Sequence, residues 1–255
     1  WTATDGSSNT DVCSYTVTVE DNQDPAITCT TNQTVDTDAD VCTYTHSGTG
    51  WDATATDNCS VDTIAYVLTG ATLGNGTSLD GVTFNLGITT VTWTATDGSS
   101  NTDVCSYTVT VEDNQDPAIT CTTNQTVDTD ADVCTYTHSG TSWDATATDN
   151  CSVDTIAYVL TGATLGNGTS LDGVTFNLGT TTVTWTATDG STNTDVCSYT
   201  VTVEDNQDPA ITCTTNQTVD TDADVCTYTH SGTGWDATAT DNCSVDTIAY
   251  VLTGA

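Results

Sequence analysis

The stretch Gly87-Ile-Thr-Thr-Val-Thr-Trp-Thr-Ala-Thr-Asp97 runs through Gly98-Ser-Ser-Asn101 into Thr102-Asp-Val-Cys-Ser-Tyr-Thr-Val-Thr-Val-Glu112, and its side chains alternate with a period of two. Val91, Trp93 and Ala95 fall on one face, with Thr90, Thr92, Thr94 and Thr96 on the other. Cys105, Tyr107, Val109 and Val111 likewise oppose Ser106, Thr108 and Thr110. One apolar and one hydroxylated face is what an antiparallel strand with one buried side requires. Ile64, Tyr66 and Leu68 alternate in the same way, as do Val82, Phe84 and Leu86. No stretch has the 3.6-residue apolar spacing of a helix, and abundant Thr, branched at Cβ, suits strands.

Outward from this stretch, the sequence repeats itself. Trp93-Thr-Ala-Thr-Asp-Gly recurs at Trp1 and Trp185, a period of 92 residues. Shifting the chain by that period overlays residues 1–163 on 93–255 with four mismatches: Gly50/Ser142, Ile88/Thr180, Ser100/Thr192 and Ser142/Gly234. Such a period suits a whole small domain rather than a solenoid coil. The only prolines, Pro25, Pro117 and Pro209, follow Glu/Asp/Asn-rich runs between strand-like segments and mark the linkers. The expected organisation is therefore the tail of one module at 1–22, complete modules at 23–114 and 115–206, and the first part of another at 207–255. About seven strands per module, separated by Gly/Asn/Asp/Ser turns, predict an all-β chain of immunoglobulin-like sandwiches, beads on a string.

Composition narrows the function. The 255 residues contain 35 Asp and Glu, no Lys or Arg, and a formal charge of -35. Without cations to neutralise phosphate, nucleic acids and anionic membranes are excluded as partners. Nucleotide chemistry loses its usual clamps, no apolar run is long enough to insert in a membrane, and no catalytic constellation is present. Twelve Cys predict an oxidising, extracellular or cell-surface location.

The run from Gly87 to Val111, followed by Asp116-Pro-Ala-Ile-Thr-Cys121 and later Ala147-Thr-Asp-Asn-Cys151, resembles the hyalin repeat (HYR) module over essentially the whole chain. That resemblance implies an immunoglobulin-like extracellular domain found in tandem in adhesion and matrix proteins. Trp93 stands where Tyr is commoner, and Ser100 where the family usually has Gly.

Each repeat carries four cysteines, which allow three pairings on arithmetic alone. The resemblance implies Cys29 with Cys105 and Cys121 with Cys197, leaving Cys42 with Cys59 and Cys134 with Cys151. Zinc is disfavoured, because no Cys-x-x-Cys spacing occurs.

Asp outnumbers Glu by 32 to 3, and short carboxylates are typical of turns and calcium loops. Three clusters recur. The linkers offer Glu20, Asp21, Asn22 and Asp24, then Glu112, Asp113, Asn114 and Asp116, then Glu204, Asp205, Asn206 and Asp208. The Asp-x-Asp-x-Asp turns offer Asp36, Asp38 and Asp40, then Asp128, Asp130 and Asp132. Asp57, Asp149 and Asp241 of the Asp-Asn-Cys motif, with Asp97 and Asp189, belong at the leading end of a sandwich. The Asp-x-Asp-x-Asp turn belongs at its exit end, so all three clusters are expected to meet at each junction and hold calcium. The linker also resembles the calcium linkers of cadherins. For the Asp97 loop, simple turn capping is the rival reading.

Trp51, Trp143 and Trp235, near a Gly/Thr loop, are candidate contacts for a glycan or surface protein, whereas Trp93 is expected in the core. His46 has no catalytic partner at fixed spacing and is expected on a surface or strand. The sequence thus predicts a calcium-stiffened, disulfide-stapled structural array, a filament or adhesin stalk whose partners are further copies of the module. The alternative is a glycan- or protein-binding adhesion module.

Overall fold

The computed structural model describes residues 1–253, and contains no helix long and apolar enough to cross a membrane. The chain divides into two compact units, Trp1–Asn114 and Gln115–Ala255.

The first unit opens with a short hairpin, β1 (Thr2–Thr4) and β2 (Thr10–Val12). Nine further strands follow: β3 (Ala26–Thr28), β4 (Gln33–Asp36), β5 (Thr43–Thr45), β6 (Thr54–Thr56), β7 (Val61–Gly70), β8 (Gly74–Gly76), β9 (Thr83–Asn85), β10 (Gly87–Asp97) and β11 (Thr102–Glu112). One sheet has the order β4-β11-β10-β7-β8, with β4 parallel to β11 and the other pairs antiparallel. The pairs β3-β6 and β5-β9 lie outside that sheet. Nine strands replace the expected seven because short three- and four-residue strands add to the long ones.

The alternating pattern sets the register. Trp93 lies opposite Tyr66 on β7 and Cys105 on β11, so the apolar faces of three long strands coincide. Trp93, Val91, Val109 and Phe84 are completely buried, and Tyr66 packs edge-on to Trp93 at 5.1 Å between ring centres. Leu86 departs from the expected pattern: β9 ends at Asn85, and Leu86 stays exposed. Gly70 ends β7 with φ +100, where an added Cβ would meet the Ile88 carbonyl oxygen at 2.5 Å, so this turn excludes any other residue.

The second unit repeats the plan from β12 (Ala118–Thr120) and β13 (Gln125–Asp128) to β19 (Gly179–Asp189) and β20 (Thr194–Glu204), and adds the pair β21 (Ala210–Thr212) and β22 (Thr238–Thr240). Cys29–Cys105 and Cys121–Cys197 form as the resemblance implies, each across 76 residues. Closing such a loop stabilises a module by about 4 kcal/mol. The second pairing is corrected. Cys134 bonds Cys243, 109 residues on, rather than Cys151. Cys59 is a free, exposed thiol, while Cys42 and Cys151 are both in disulfides.

Candidate functional site

The acidic residues separate into groups with different surroundings. Asp97 closes the β10-β11 hairpin and is 2% exposed. Its Oδ1 accepts the Ser99 and Asn101 amides at 2.9 and 2.8 Å, and its Oδ2 accepts Asn101 Nδ2 at 2.8 Å. Burial pushes its pKa up, but the Asn101 side chain and the loop amides outweigh burial and hold it below the ordinary 3.8. Asp189 repeats the arrangement with Ser191 and Asn193 at 2.7 to 2.9 Å. Both are turn caps, the rival reading of this loop.

The Asp-Asn-Cys turns differ. Asp57 Oδ2 accepts the amides of Cys59 and Ser60 at 2.8 and 3.1 Å, and Asp149 and Asp241 do the same in their repeats. The other oxygen of Asp149 and of Asp241 is buried with no donor, as is Asn242 Oδ1. Turned so that its nitrogen faces Asp57, the Asn58 amide donates to both Asp57 oxygens.

From the linker, Asp21 reaches the first of these turns. Its Oδ1 accepts the Gln23 amide at 3.2 Å, its main-chain carbonyl accepts Asn101 Nδ2 at 3.1 Å, and its Oδ2 is buried without a donor. One ligand atom each from Asp21, Asp57 and Cys59 lies within 4.8 Å of the others. The Cys59 thiol is pushed up by its hydrogen bond to Asp21 and by the charges of Asp21, Asp57 and Asp97. Asp113 is buried and Asp205 half-buried, whereas Glu20, Asn22, Asp24, Glu112, Asn114, Asp116, Glu204, Asn206 and Asp208 stay exposed.

The Asp-x-Asp-x-Asp turns do not aim three carboxylates at one point. Asp36 accepts Asn114 Nδ2 at 2.7 Å, Asp38 accepts the Thr45 amide at 2.8 Å, and Asp40 stands exposed at φ +61. Asp128, Asp130 and Asp132 copy this, with Asn206 and Thr137 as donors.

Within the second unit this turn nevertheless meets the linker and the following Asp-Asn-Cys turn. The Thr129 amide donates to the Glu204 carbonyl at 2.9 Å, and Asn242 Nδ2 donates to Thr129 Oγ1 at 2.9 Å and to the Val133 carbonyl at 3.2 Å. The Cys134–Cys243 bond closes the contact. Linker, exit turn and Asp-Asn-Cys turn therefore come together here, while Asp189 sits at the leading end of its own module, where its partner Asn193 donates Nδ2 to the Gln115 carbonyl of the linker before it at 3.3 Å.

The ring faces proposed for a ligand are taken internally. Trp51 stacks on His46 at 3.8 Å and 8°, and packs edge-on to Phe84 at 6.0 Å. Trp143 is buried on His138, and Trp235 stacks on His230 at 3.7 Å. His46, expected on a surface or strand, is buried at 7% exposure, and that burial lowers its pKa. The signal for this stack was the period-two step from Tyr44 to His46, which puts the imidazole on the core face.

A model of the HYR domain matches residues 20–111 and 112–203. Hyalin of Strongylocentrotus purpuratus is 32% identical over 226 residues, which is 84% of this chain and 17% of that protein, so the chain spans a small part of its relative. Among solved structures, mouse cadherin-23 EC22-24 aligns at 16% identity over 76% of this chain and 71% of that one, with a TM-score of 0.37. Drosophila N-cadherin EC1-4 aligns at 15% identity over 72% and 50%, with a TM-score of 0.34.

Proposed function

Because the chain belongs to the HYR domain family, we propose that it is a structural segment of an extracellular or cell-surface array, whose module junctions are stiffened by calcium. The observation that carries the reading is the pair of oxygens Asp149 Oδ1 and Asp241 Oδ1, each buried with no donor in the turn that begins a module. A buried carboxylate oxygen without a partner is destabilising, and a hard cation coordinated by oxygens removes the penalty. The donor set fits calcium in kind. Asp21 Oδ2 and Asp57 supply carboxylates at the first such turn, and Asp241 Oδ1 with Asn242 Oδ1 supplies oxygens at the third. Cys59 sulfur is soft and stands outside that set. With a formal charge of -35 and no basic residue to offset it, divalent ions would also relieve repulsion along the array.

No catalytic role is assigned. The glycan-binding alternative loses its main support, since His46 and His138 occupy the faces of Trp51 and Trp143. Small-angle scattering of the full chain at millimolar calcium and in chelator tests the proposal. A narrow distribution of maximum dimension that broadens in chelator, with circular dichroism unchanged, is expected. Identical curves would refute calcium stiffening, and saturable binding on a glycan array would favour the alternative.

A further inference from the structure

Cys13, Cys59, Cys213 and Cys226 are free and exposed, yet a shift of 92 residues gives each a counterpart that is bonded. Cys13 and Cys213 correspond to Cys105 and Cys121, whose bridges stay inside one module. Cys226 and Cys59 correspond to Cys134 and Cys243, whose bridge runs from the exit turn of one repeat to the Asp-Asn-Cys turn of the next.

Both free halves hold the shape of the bonded ones. Around Cys226 the Asp222 amide donates to the Thr227 carbonyl at 2.8 Å, the Thr229 amide donates to Asp222 Oδ2 at 2.9 Å, and Asp224 has φ +62. Around Cys134 the corresponding values are 2.7 Å, 2.8 Å and +61. Cys59 and Ser60 amides bind Asp57 Oδ2 just as Cys243 and Ser244 amides bind Asp241 Oδ2. The turns are set by their own hydrogen bonds, so a bridge forms between ready-made parts and orders little further chain.

We infer that Cys226 and Cys59 are the two complementary halves of an inter-module disulfide, each completed by another copy of this repeat. Cys226 takes the cysteine of a copy's Asp-Asn-Cys turn, and Cys59 takes the cysteine of a copy's exit turn. The copy's Asn beside its cysteine would dock on Thr221 and Val225, the counterparts of Thr129 and Val133. The chemistry is thiol–disulfide exchange: two protein thiols reduce one low-molecular-weight disulfide to two small thiols, passing on two electrons and two protons as the S–S bond forms. The inference shares with the array reading only the premise that repeats adjoin, and it stands or falls without calcium.

The test uses the full chain carrying Cys13→Ser and Cys213→Ser, which removes the intramodule halves. In a buffer of oxidised and reduced glutathione with chelator, denaturing non-reducing electrophoresis should show a ladder of covalent multimers that dithiothreitol collapses. Adding Cys59→Ser or Cys226→Ser should each abolish the ladder and leave monomer, and a mixture of those two variants should give dimer and nothing larger. Dimer from either variant alone, or a parent chain that stays monomeric, would overturn the inference. In native material, mass that falls on reduction places the bridge between chains, unchanged mass places it between repeats of one polypeptide, and titratable thiols at the exit-turn cysteines would contradict both.

Discussion

Asp189 and Asp149 belong to the same module, and both receive backbone amides two residues on. Asp189 has donors on both oxygens, two amides on one and Asn193 Nδ2 on the other. Asp149 spends Oδ2 on the amides of Cys151 and Ser152 and buries Oδ1 without a donor. The difference is one side chain: Asn193 turns back on Asp189, and nothing among the hydrogen bonds of the Asp-Asn-Cys turn does this for Asp149 Oδ1. An Asp-rich turn can thus be complete in itself or leave an oxygen without a donor, and the calcium proposal concerns only the second kind.

The largest expected effect breaks the complete turn. Asp189→Ala removes the acceptor of three donors at a site 2% exposed, and should cost about 3 kcal/mol whether or not calcium is present, read by urea unfolding. Asp149→Ala should differ: in chelator it should cost less, about 1 kcal/mol, because losing the acceptor of the Cys151 and Ser152 amides is partly offset by deleting a buried oxygen without a donor, and it should remove any gain on adding calcium. Equal calcium-independent losses from both would erase the distinction.

Acid should next separate the caps from the aromatic stack. His46 and His138 have pKa values lowered by burial from 6.5, so the neutral rings favour the fold, and stability falls as pH drops below about 6.5. Asp97, held below 3.8, stabilises above that value and loses its contribution as pH falls through its lowered pKa. Thermal unfolding at pH 7.5, 5.5 and 3 should therefore decline in two stages. Replacing His46 and His138 by Phe should flatten the first stage only.

The smallest effect sharpens the complete turn. Ser100 and Thr192 sit at φ +73 and +76, in the left-handed region, and the residue that the family usually places there is Gly. Ser100→Gly and Thr192→Gly should each stabilise by about 0.5–1 kcal/mol in denaturant melts, with the β-branched Thr gaining more.

Much of this was legible in the residues, and the failures have physical causes. Alternation gave the long strands and their inward faces, because a strand's side-chain period is fixed by its backbone. The Asp97 cap was readable from Asn101 four residues on. The second disulfide was misread although its clue was present. Placing the Asp36–Asp40 turn and the Asp57 turn at opposite ends of a sandwich separates Cys42 from Cys59 by about 30 Å of strand, far beyond the roughly 7 Å limit for a disulfide. The Cys134–Cys243 pairing is the consistent solution, since the exit turn of one repeat meets the leading turn of the next. The orphaned oxygens were illegible, because an Asp-Asn-Cys triplet does not state which carboxylate oxygen is enclosed.

Titration calorimetry of calcium into the oxidised full chain tests the central claim most directly. The account predicts saturable binding with a dissociation constant of about 0.1–1 mM, the range of extracellular modules. That binding should be undisturbed by Ser100→Gly and abolished by Asp21→Ala, Asp149→Ala and Asp241→Ala together. Absence of binding at millimolar calcium, or binding that survives the triple substitution, would contradict it.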